Sequence, residues 1–133
     1  MTELLKFYPE GDLLYVEFLA NKYLEIQPKT AAEKEALKNR LIPVIEQVDN
    51  FVESNNLKEV IEVNLEGVSI ASLDPTVTID MLNLCLEIRP VKYIVQKIVI
   101  TNATPLFYIL YNSIKSMLPE RLTSVLEISD FSD

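Results

Sequence analysis

The sequence predicts a single-domain α/β fold: an initial β-hairpin, then βαβαβ-type units forming a mixed, mostly parallel sheet of about five strands packed by helices. Three observations point to it. Short runs rich in branched and aromatic residues recur along the chain, as strands require. Between them, apolar residues repeat every three or four positions, the spacing of a helix with one buried face. After the hairpin, successive strand-like runs lie 12 or more residues apart, too far for a tight reversal and enough for a crossover helix. At 133 residues, such a domain removes roughly two-thirds of its unfolded surface from water and can fold unaided.

Residues 3–8 and 13–19 are the hairpin strands, with Pro9-Glu10-Gly11-Asp12 as the turn. Residues 21–30 contain Pro28 and show no clear period, so they read as a connection. Over residues 31–55 the period changes: Leu37, Leu41, Val44, Ile45, Val48, Phe51 and Val52 mark one buried helix face. Pro43 lies inside that pattern and should kink or split the helix, because it removes a backbone donor. Residues 57–65 read as a strand, and Gly67 after it suits a backbone conformation that other residues avoid. Asp74 reads as a helix cap with Pro75 at the first helical position, the helix running over residues 76–88 and stopping before Pro90. Residues 94–101, IVQKIVIT, are the clearest buried strand. A helix over residues 105–118 follows, with Leu106, Phe107, Leu110, Ile114, Met117 and Leu118 on one face. Residues 122–128 read as the last strand and 129–133 as an acidic tail.

Composition narrows the chemistry. The chain has no histidine, no tryptophan and one cysteine. Within it, a Ser-His or Cys-His pair, a histidine metal cage and a disulfide are impossible. Two glycines cannot build the phosphate cradles of a P-loop or dinucleotide loop, and no metal-ligand cluster is spaced along the chain. No enzymatic activity, catalytic residue, metal or cofactor is therefore expected. A balance of 12 basic against 20 acidic residues, a net charge of −8, argues against a nucleic-acid partner, since phosphate binding needs a basic surface. No basic segment leads into an apolar run at the start, and no apolar run approaches the roughly 20 residues of a membrane span. The expectation is a cytoplasmic protein without a signal peptide or transmembrane segment, its lone thiol at ease in a reducing compartment.

Two families share parts of this pattern. Asn64-Leu65-Glu66-Gly67-Val68-Ser69, Arg89-Pro90, Ile98-Val99-Ile100-Thr101-Asn102-Ala103, Pro105-Leu106-Phe107, Ile114-Lys115 and Leu118-Pro119-Glu120-Arg121 follow one another as in the CRAL-TRIO lipid-binding domains, which the chain resembles from about residue 60 onward. Asn64 stands where that family usually has Asp, Arg89 where it has Tyr, and Thr104 is an extra residue between Ala103 and Pro105. The resemblance implies a trimmed core of that domain. The strand end Asn64-Leu65-Glu66-Gly67-Val68 also resembles STAS domains, which are complete at about this length. There the phospho-acceptor position falls on Leu73, beside Ser72, so the switch serine is absent.

The CRAL-TRIO resemblance assigns the helix over residues 105–118 to the mobile gate above the lipid. Leu106, Phe107, Leu110 and Ile114 then line an acyl-chain site, although any core-facing helix shows the same stripe. Tyr108, Tyr111 and Lys115 fall off the stripe and suit a headgroup or a protein partner. Cys85, among leucines, reads as a small core residue; Asp74 and Asp80 as a cap and a solvated helix residue; Glu62 and Glu66 as carboxylates of a strand edge or end. Two functions stay open. One is a non-enzymatic lipid-binding or lipid-exchange module, with a lipid or other hydrophobic small molecule as ligand. The other is a protein-interaction or regulatory scaffold of STAS-like fold, with a protein partner or a homodimer.

Overall fold

The structure is a computed structural model and describes residues 4–88 and 95–129. Five strands form one sheet in the order of the chain: β1 (Leu5–Glu10), β2 (Leu13–Leu19), β3 (Lys58–Asn64), β4 (Val95–Thr101) and β5 (Leu126–Ile128). β1 pairs antiparallel with β2, and every later neighbour is parallel, so the predicted mixed sheet is present. The helices are α1 (Ala20–Ile26), α2 (Ala31–Ser54), α3 (Pro75–Glu87), α4 (Pro105–Ile114) and α5 (Glu120–Thr123).

A parallel sheet whose strands follow in sequence order, with right-handed crossovers, carries all its helices on one face. The core agrees. Val16, Phe18, Ile61, Val63, Ile98 and Ile100 form one buried cluster with Tyr23 of α1, Leu37, Leu41 and Ile45 of α2, Met81, Leu82 and Cys85 of α3, Phe107 of α4 and Leu122 of α5. Alternate residues point the other way. There Tyr8 and Tyr15 stack with ring centroids 4.9 Å apart, beside Glu17, Glu62 and Thr101.

Several local expectations change. The turn is Gly11-Asp12 alone, Gly11 adopting φ +63°, while Pro9 pairs with Leu14 inside β1. An edge strand tolerates that proline. Residues 20–26, within the predicted connection, form a helix held by the buried Ala20 and Tyr23. Pro43 does not split α2: the helix runs through it, with Leu41 and Ile45 buried on either side and the ring exposed. The predicted helix over 105–118 ends as α-helix at Ile114 and continues as a 3₁₀ turn, Lys115–Met117. Residues 122–128 are not one strand. Leu122 closes α5 into the core, and only Leu126–Ile128 pair with β4. Gly67 at φ +77° and the Asp74 cap, whose Oδ1 accepts from the Val77 N–H at 2.7 Å, are as expected. Met1 to Glu3, Arg89, Pro90, Ile94 and the acidic tail from residue 130 lie outside the described residues.

Candidate functional site

α4 starts where the sequence says it must. Thr104, the extra residue against the family pattern, is its cap: its Oγ1 accepts from the Phe107 N–H at 3.4 Å, with Pro105 at the first helical position. The predicted stripe is split by the helix. Phe107 and Ile114 are buried, Leu110 is half-buried, and Leu106 is 55% exposed on the outer side near Ile109 at 66% and Met117 at 63%. Tyr111 packs on Phe107, ring centroids 6.5 Å apart, and burial raises its phenol pKa. Tyr108 is half-buried and donates to the Ile128 carbonyl at 3.4 Å, which ties α4 to the sheet edge. Of that group Lys115 is the exposed member. The four residues read as one lining therefore face two ways, and the two tyrosines serve packing.

The carboxyl ends of β2, β3 and β4 carry a polar network on the helix-free face. Asn64 donates to Glu17 Oε2 at 2.7 Å, and its Oδ1 accepts from Asn102 Nδ2 at 2.7 Å and from the Glu66 N–H at 2.9 Å. Glu62 accepts from the Tyr8 hydroxyl at 2.7 Å and from Thr101 at 3.1 Å. Burial first, then the hydrogen bond to Glu62 and that carboxylate's charge, push the Tyr8 phenol well above its ordinary value. Glu66 lies beyond β3 and is exposed, so it does not share the face of Glu62. These groups satisfy one another across β1 to β4.

The remaining reactive candidates are similarly occupied. Asp80 is not simply solvated; it pairs with Lys34 at 2.9 Å, joining α2 to α3. That pair borders a small cleft of about 120 Å³ whose wall includes Tyr23, and burial pushes the Tyr23 phenol up to about 12. Cys85 is fully buried and its thiol is pushed up to about 12 by burial, so it stays protonated at neutral pH. Leu73, the position compared with a phosphorylated serine, is a buried core residue. Among the described residues no group of three or more metal-ligating side chains comes together, and no helix is long and apolar enough to cross a membrane.

A larger concavity lies on the same face of the sheet as α4 but at its opposite edge. Phe7, Pro9 and Leu14 of the hairpin and Val44, Gln47, Val48 and Phe51 of α2 enclose an open groove of about 360 Å³. Sequence reasoning took Val44, Val48 and Phe51 as core. The signal that separates them is angular. Leu37, Leu41, Ile45 and Val52 form one row, which is buried, while Val44, Val48 and Phe51 form a second row turned by about 60°.

The fold is a mixed α/β domain, and its arrangement of strands and helices is similar to that of a solved protein of the Sec14/CRAL-TRIO family. The crystal structure of Sfh5, a protein of that family, superposes with a TM-score of 0.52 at 15% identity, over 96% of this chain and 48% of that one. The likeness shows the fold, and this chain spans about half the length of the chain it matches. No protein-family model and no curated protein sequence matches the chain.

Proposed function

We propose that this chain is a non-enzymatic module that binds, and exchanges, a lipid or other hydrophobic small molecule. One observation carries the reading: the fold likeness to Sfh5 extends over 96% of the chain. Sfh5 belongs to the family whose motifs the second half of this sequence resembles. Two features of the chemistry support it. The exposed apolar side chains of α4 and of the α2 groove offer contacts for an apolar ligand, and the only thiol is sequestered. α4 is the element that the resemblance assigns to the gate. A reducing cytoplasm suits the buried Cys85 and is the proposed compartment.

Native mass spectrometry of the purified chain, followed by lipid extraction, tests the reading. A stoichiometric adduct identified as lipid supports it, as does transfer of a fluorescent lipid between vesicles in the presence of the protein. A chain that carries no adduct and accelerates no transfer overturns it.

A further inference from the structure

We infer that the groove between β1 and α2 is a binding site in its own right, built for the aliphatic chain of a fatty acid or similar single-chain lipid. The groove rests on its own geometry; only the lipid class of its ligand rests on the function proposed above. Its volume, about 360 Å³, falls in the range of small-molecule sites and is more than double the roughly 150 Å³ of an apolar cavity that takes up benzene. All but one of its lining side chains are apolar, the exception being Gln47. Phe51 is 50% exposed and Phe7 37%, so two aromatic rings stand at the rim partly in water.

In the second apolar row of α2, Val44 and Val48 pack partly on the core and leave the rest of their surface, with Phe51, to the groove. Leu37, Leu41, Ile45 and Val52 carry the fully buried side of the helix, none more than 1% exposed. Val44 to Phe51 spans two helical turns, ~10 Å along the axis at 1.5 Å per residue, which gives the groove an elongated wall suited to an extended chain. Gln47 offers both an amide donor and a carbonyl acceptor at the wall, where a headgroup carboxyl or ester can meet it. The open side leaves that headgroup in water.

A protein occupant fits less well. Stable protein interfaces take ~20–30 residues a side, whereas seven residues line this groove. The site is separate from α4. The sheet places β1 and β5 at opposite edges, four strand spacings or ~19 Å apart, and α4 is tied to the β5 edge by Tyr108.

Titration of the full chain with 11-(dansylamino)undecanoic acid, followed by dansyl fluorescence, tests the site. Four proteins are compared: the natural sequence, Phe51→Glu, Val44→Trp and Ile109→Glu, each checked for native circular dichroism. Phe51 is half-exposed, so its exchange spares the core, and Val44→Trp fills the groove from its wall. The expected result is saturable binding that both groove variants weaken about tenfold or more, with Ile109→Glu reporting separately on the α4 face. Binding that only Ile109→Glu weakens, or that no variant weakens, overturns the groove and leaves the lipid-binding reading standing. No binding by the natural sequence, with no lipid adduct in its native mass spectrum, overturns both. A dimer in sedimentation that Phe51→Glu dissolves assigns the groove to a second copy and also overturns the proposal.

Discussion

The side-chain amide of Asn102 donates to Oδ1 of Asn64 at 2.7 Å and so ties the carboxyl ends of the two central parallel strands. Asn102 adopts φ +60°, a left-handed turn that asparagine tolerates better than most residues and that turns the chain from β4 toward α4. Through its own Nδ2, Asn64 also reaches Glu17 on β2. One buried amide thus joins three consecutive strands. An amide can donate to Glu17; an ionised Asp at this position cannot.

Asn64→Asp is therefore expected to destabilise the fold at neutral pH. It places a carboxylate where Nδ2 now donates to a carboxylate, and two such groups in contact do not both ionise cheaply. The cost is about 1–3 kcal/mol, that of a lost buried hydrogen bond with its partner left unsatisfied. The new carboxyl has a folded pKa raised above its unfolded value of about 3.9. The penalty is accordingly smallest below that value, where a protonated carboxyl donates again, and grows as pH rises through the folded value. Urea midpoints of the natural chain and the variant, measured from about pH 7 down to pH 4, should converge on acidification. Parallel curves would show that Glu17 and residue 64 do not interact.

The two sides of α4 should respond differently to truncation. Phe107 is fully buried, and Phe107→Ala is expected to cost about 3–5 kcal/mol. Ile109, two residues on, is 66% exposed, and Ile109→Ala should stay within about 0.5 kcal/mol. Equal losses in thermal or urea unfolding would show that the outer side of α4 is covered in the folded protein.

The contrast between Phe107 and Leu106 marks how far sequence reasoning reached. Alternation of strands with helices, the hairpin, the Asp74 cap and the left-handed Gly67 all carry local signals, and all were legible. α1 was not, because seven residues with two buried positions establish no period. Leu122 and Leu126 are both apolar and close in sequence, and a short apolar run does not tell a strand from a buried helical turn. The six residues Leu106, Phe107, Leu110, Ile114, Met117 and Leu118 span an arc of about 120° at helical spacing, and only the packing of Phe107 and Ile114 decides which part of it is core. The α2 groove was hidden for the same reason: periodicity reports an apolar face but not whether anything covers it.

Pro43→Ala should stabilise the chain. Proline in a helix interior forfeits the bond to the carbonyl four residues earlier, here Asn39, and costs about 3 kcal/mol relative to alanine. The ring of Pro43 is exposed, so its removal opens no cavity. Proline also restricts the unfolded chain, and alanine gives that advantage up, which brings the expected gain to about 1–2 kcal/mol. An unchanged or lower urea midpoint would show that α2 needs the proline's geometry where it passes Leu41 and Ile45.

Acid should loosen the start of α2 before the rest of the fold, through one carboxylate. Thr30 and Glu33 form a reciprocal cap: the Glu33 N–H donates to Thr30 Oγ1 at 3.1 Å, while Glu33 Oε1 accepts from the Thr30 N–H at 3.2 Å and the Lys29 N–H at 2.8 Å. Those two backbone donors, Lys29 first, lower the Glu33 pKa below its ordinary 4.5. A carboxylate with a depressed folded pKa adds stability that is present above 4.5 and lost as pH falls through the folded value. Amide exchange at Lys29 and Thr30 should therefore quicken below pH 4.5 relative to exchange in the buried strands. Glu33→Gln keeps an acceptor oxygen without the titration, so its helix start should hold steady over the same range. If both proteins loosen alike on acidification, the groups that release α2 lie elsewhere, and the Thr30–Glu33 pair is only one of several caps.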